Sequence, residues 1–104
     1  MNEEKEADTF KHKAIEIYNS ALMLQWAEKP NYEEAARLYR LSANLGFAGA
    51  QNNLGDCYEH GIGLEKNYAM AVYWYTRAAE RGHLTARREW MLRVLSPSGL
   101  RTMP

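Results

Sequence analysis

The sequence predicts an all-α chain, a solenoid of stacked helix pairs with two repeats and a lone capping helix at its C-terminal end. Three observations lead there. Asn31, Tyr32, Ala35, Tyr39, Ala43, Gly46 and Ala50 recur thirty-six positions on as Asn67, Tyr68, Ala71, Tyr75, Ala79, Gly82 and Ala86. The matched positions fall at helical spacing, and in both copies a glycine stands where a helix would stop. A repeat of this length marks an array of stacked helix pairs.

The elements follow in order. Residues 6–25 carry a helical stripe of Ala14, Tyr18, Ala21, Leu22 and Gln25, after a charged lead. Pro30 ends this helix by disfavouring helical backbone at the residue before it. Asn31 is placed to cap a second helix, residues 31–45, with Glu33 and Glu34 in the first turn where the dipole favours negative charge. Glu34 stands where a capping box needs it, and Gly46 is the stop. A third helix, 47–60, has the stripe Ala50, Leu54, Cys57 and Tyr58, with Gly55 on its flank expected to admit a crossing helix backbone. Gly61-Ile62-Gly63 is a turn whose isoleucine should tuck into the core. Asn67 caps a fourth helix, 68–81, which stops at Gly82. A fifth is expected over 84–95, where Ser96-Pro97-Ser98-Gly99 ends it and leaves a tail.

Carried backwards without a gap, the same register sets Ala14, Tyr18, Ala21 and Leu22 against Ala50, Leu54, Cys57 and Tyr58. The chain then divides into a lead (1–13), a degenerate first repeat (14–49), a second repeat (50–85), a capping helix (86–95) and a tail (96–104).

Composition narrows function. The 104 residues have zero formal net charge, which argues against a chain built to hold phosphate backbones. Residues 1–68 carry seven Lys/Arg against eleven Asp/Glu, and residues 69–104 six Arg against two Glu, an asymmetry suited to oriented association. Cys57 is alone, so no internal disulfide forms and a reducing compartment is expected. With no apolar leader and no run of ~20 apolar residues, the expected location is cytoplasmic and away from membranes.

At this point Leu54-Gly55, Tyr58, Gly61-Ile62-Gly63, Asn67-Tyr68, Ala71, Trp74-Tyr75, Ala78-Ala79 and Gly82 resemble a Sel1-like repeat, a relative of tetratricopeptide repeats. The first repeat matches less well, with Asn19, Gln25 and Ala27 where the glycines sit, so its loop should differ in shape. The resemblance implies a right-handed superhelix whose first-type helices line a concave protein-binding face, in adaptors of signalling, secretion, envelope assembly and protein quality control.

No residue set carries chemistry. His12, His60 and His83 are not spaced with Cys57 as a metal set, and no nucleophile motif or phosphate loop appears. Neither catalysis, cofactor nor metal is expected. Tyr32, Tyr39, Tyr68, Tyr75 and Trp74 read as core. Arg77, Arg81, Arg87, Arg88 and Arg93 are the strongest nucleic-acid candidates, but the aromatics that would stack on bases are assigned to the core, so no nucleic acid is expected. The faces opposite the stripes give Glu16, Ser20 and Met23 on the first helix, Asn52, Asp56 and Glu59 on the third, and Arg88 and Leu92 on the fifth. Together they form the expected partner-binding strip for a protein or peptide. Exposed terminal helices could pair in a homodimer. The alternative role is a small cytoplasmic antagonist, an immunity or inhibitor protein that blocks a partner enzyme.

Overall fold

The computed structural model describes residues 3–83, and side chains from residue 8 onward. The expected fifth helix, with Arg88 and Leu92, and the tail lie outside the described residues. The described chain is four helices without a strand: α1 (Glu3–Gln25), α2 (Tyr32–Asn44), α3 (Ala48–His60) and α4 (Tyr68–Glu80). Each packs chiefly on its chain neighbour, α1 on α2, α2 on α3 and α3 on α4, the pattern of helix pairs stacked in a row.

The caps follow the sequence. Asn31 Oδ1 accepts from Glu34 N at 3.1 Å, and Asn67 Oδ1 accepts from Met70 N at 3.1 Å. The reciprocal half of the capping box is not made: Glu34 instead takes Arg37 at 2.6 Å. The Asn31 N–H has no need of it, because it donates to Leu24 O at 3.0 Å. Gly46 and Gly82 take left-handed backbone (φ +96 and +86) at the helix ends, a region that costs other L residues ~1–2 kcal/mol.

Tyr39, Leu54, Ala21, Ala43 and Ala50 form the centre of the core, and Ile62 packs against it as expected. Ala71, Tyr75 and Ala78 form a second cluster against Ala48 and Tyr58. Gly55 is required for a different reason from the one expected. A Cβ there would stand 2.8 and 2.9 Å from ring carbons of Tyr75, so what crosses it is an aromatic ring rather than a helix backbone. Two of the five aromatics read as core are not. Tyr39, Tyr75 and Trp74 are buried, but Tyr32 and Tyr68 are half exposed or more, since they are the first residues of α2 and α4 and point away from the stack.

Candidate functional site

Geometry corrects the register of the first helix. In the second repeat Asn67 N donates to Tyr58 O, nine residues back; in the first, Asn31 N donates to Leu24 O, only seven back. The loop of the first repeat is therefore two residues shorter, and α1 matches α3 at an offset of thirty-four. The buried tyrosines agree. Tyr75 OH donates to Glu59 Oε1 at 2.8 Å, and Tyr39 OH donates to Gln25 Oε1 at 2.5 Å, with Gln25 thirty-four before Glu59. At this offset Ala21 falls on Gly55 and Ala14 on Ala48, small residues in each case, all buried except Ala48, which is partly buried.

The correction separates the expected strip into two surfaces. Glu16, Ser20 and Met23 are the counterparts of Ala50, Leu54 and Cys57, the α3 residues buried in the core cluster shared with α2. On α1 that flank is open: Glu16 and Ser20 are exposed and Met23 is 74% exposed. The counterparts of Asn52, Asp56 and Glu59 are Tyr18, Leu22 and Gln25. Asn52 and Glu59 are not solvated, as a binding strip was expected to be, but buried at 7% exposure. Glu59 shares the Tyr75 hydroxyl with Asp56 Oδ1. Asn52 Oδ1 has no hydrogen-bond partner among the described residues.

The surface that the two first-type helices do present is one residue round from that line. On α1 it runs through Ile15, Asn19 and Leu22 to Trp26 just past the helix end, and on α3 through Gly49, Asn53, Asp56 and His60, each at least partly open to solvent. These are matched positions at i, i+4, i+7 and i+11, one stripe per helix. Tyr39 of α2 is anchored on α1 beside its stripe, because its hydroxyl donates to Gln25. Trp26 is 75% exposed. Asn19 and Asn53 put the same side chain at the same place in both repeats. The sequence signal was present in that pair, but the ungapped register set Asn19 against Gly55 and hid it.

Burial is the largest influence on Cys57, Tyr39 and His83. Cys57, 1% exposed, has its thiol pushed up to about 12 by desolvation, with the Asp56 charge a smaller contribution in the same direction. This is the inert thiol expected on the stripe. Desolvation likewise raises Tyr39 to about 12. Burial lowers His83, partly offset by Asp56. Asp56, Glu59 and His60 are the one group among the described residues whose ligating atoms come within 4.8 Å of one another. The sequence reading, which weighed the histidines only against Cys57, missed it. Both carboxylates are engaged by Tyr75, and His60 Nδ1 lies 3.2 Å from Asp56 O.

An all-α stack of helix pairs, with asparagine-capped second helices and a ring-on-glycine contact inside the pair, is a solenoid of the tetratricopeptide kind. Comparison with known proteins makes it specific: the Sel1 repeat model matches residues 17–47 and 48–83, and the chain belongs to that family. The crystal structure of a Sel1 repeat protein from Oxalobacter formigenes superposes with a TM-score of 0.73 at 34% identity, covering 77% of this chain and 34% of that one. Chitin synthase regulatory factor 3 of Schizosaccharomyces pombe is 46% identical over 52 residues, 49% of this chain and 6% of that protein. Human protein sel-1 homolog 2 is 34% identical over 92 residues, 88% of this chain and 13% of that protein. The chain thus spans a small fraction of the length of these relatives. Among the described residues no helix is long and apolar enough to cross a membrane.

Proposed function

We propose that this chain is a non-catalytic protein-interaction module that binds a protein or peptide partner along the stripe shared by α1 and α3. The observation that carries the reading is Trp26, 75% exposed beside Leu22 and Asn19 on a face whose neighbouring turns are locked into the core. A large aromatic held in water on a rigid scaffold is the residue type that most often anchors an interface. Membership of the Sel1 repeat family supports it, as does the yeast relative's name, which describes regulation of another protein.

The test is capture of partners from the source cell on immobilised chain, beside Trp26→Ala and Asn19→Arg variants of unchanged helicity. A partner retained by the native chain and lost by both variants supports the reading. A partner held equally by all three refutes it.

A further inference from the structure

We infer that the α1–α3 stripe takes an extended peptide segment carrying a large apolar side chain and a lysine or arginine; this rests on the reading of the chain as an interaction module. The two helices differ in character at matched positions. Where the first repeat has Leu22 and Trp26, α3 has Asp56 and His60, so one end of the stripe is apolar and the other carries a partly exposed carboxylate. Tyr75 donates to one oxygen of Asp56, a neutral donor that brings no cation to the carboxylate. Burial holds nearby His83 toward its neutral form, so it offers Asp56 little positive charge at neutral pH. A cationic side chain from a ligand is the complement.

The paired asparagines argue for an extended ligand over a helical one. Asn19 is exposed and Asn53, at the matched position of α3, is partly open, so each offers an amide that can both donate and accept. An extended backbone has N–H and C=O groups to satisfy, whereas a helix has already paired its own.

The experiment is selection of random peptides displayed on phage against the immobilised full chain, then fluorescence anisotropy titration of a selected peptide and its Lys/Arg→Gln analogue. The expected peptides pair a Trp, Phe or Leu with a Lys or Arg. The Gln analogue should bind about tenfold more weakly to the native chain. Asp56→Asn, which keeps an acceptor for Tyr75, should weaken the cationic peptide by the same factor and leave the analogue unchanged. Acidic peptides, no selected peptide, or equal affinity of the two peptides for the native chain would overturn the inference. Binding that needs Trp26 but ignores the ligand's cation sinks this inference alone. Binding untouched by both Trp26→Ala and Asp56→Asn sinks the interaction stripe as well.

Discussion

Gly63 sits where the loop of the second repeat presses on the start of α2, and replacing it by alanine loads two separate costs on one methyl group. A Cβ built there stands 2.0 Å from Tyr32 O, 2.5 Å from Tyr32 C and 3.1 Å from Ala36 Cβ. The first two obstacles are backbone, so no rotamer change relieves them. The backbone is also left-handed, with φ +74, which costs an L residue ~1–2 kcal/mol. Shifting α2 or the loop resembles overpacking, ~1–3 kcal/mol. The sum, about 2–5 kcal/mol, is a large part of the ~5–15 kcal/mol typical of a domain. Gly82 is the internal control: its φ is +86, but a Cβ there meets nothing within 4 Å among the described residues, so the conformational cost is the one expected. Urea unfolding followed by far-ultraviolet circular dichroism reads both variants. Gly63→Ala should lose at least about twice the stability of Gly82→Ala. Equal losses, or a larger one at Gly82, would show that the loop does not seat on α2 as described.

Gly55→Ala places a methyl 2.8 Å from the Tyr75 ring and should cost ~1–3 kcal/mol despite alanine's better helix propensity; melting curves of it alone and with Tyr75→Leu should show the loss relieved in the double variant. Because Cys57 and Tyr39 are raised to about 12 from ordinary values of 9.0 and 10.0, the unfolded chain releases these protons first. Their contribution to stability is full below pH 9 and is lost as pH rises toward 12, so the denaturation midpoint should fall across that window; a flat profile contradicts the burial. Cys57 should likewise resist a thiol reagent at pH 8 until the chain is unfolded. Glu16→Ala with Ser20→Leu gives the open flank of α1 the residues that α3 buries against α2. With Met23 beside them this makes an apolar stripe, expected to drive concentration-dependent association in sedimentation velocity. Gln25→Ala should destabilise the chain by about 1 kcal/mol through the lost Tyr39 acceptor, while Met23→Ala should change little; the reverse order would restore the ungapped register.

Much of the fold was legible because repeat matches, caps and glycines are local signals. Asn31, Asn67, Gly46 and Gly82 act within one turn of their own position, and the structure places all four as their chemistry requires. The binding strip was less legible because it depends on rotation about a helix axis. A two-residue slip turns an α-helix by about 200°, enough to exchange a buried line for an open one. That is why Glu16, Ser20 and Met23 were grouped with Asn52, Asp56 and Glu59, although the two sets face different neighbours. It also explains why charge reversal at Glu59 cannot report on binding alone: the residue is buried on Tyr75, and reversing it breaks the pair that holds α3 to α4.

The slip nonetheless had a sequence mark, carried by the tyrosine of each second helix. Such a ring must lie over a small residue on the first helix, and its hydroxyl, once buried, must find an acceptor. In the second repeat these are Gly55 and Glu59, four residues apart and so on one face. In the first repeat the pair that meets both needs is Ala21 and Gln25, also four apart. The gap-free register offers Asn19 and Met23 instead, a residue too large and a thioether that accepts weakly. Aligning the acceptor of the buried hydroxyl, rather than the apolar stripe, yields the offset of thirty-four directly. The stripe misleads because alanine and leucine occur on several faces of α1, whereas a small residue followed four positions later by a strong acceptor singles out Ala21 and Gln25.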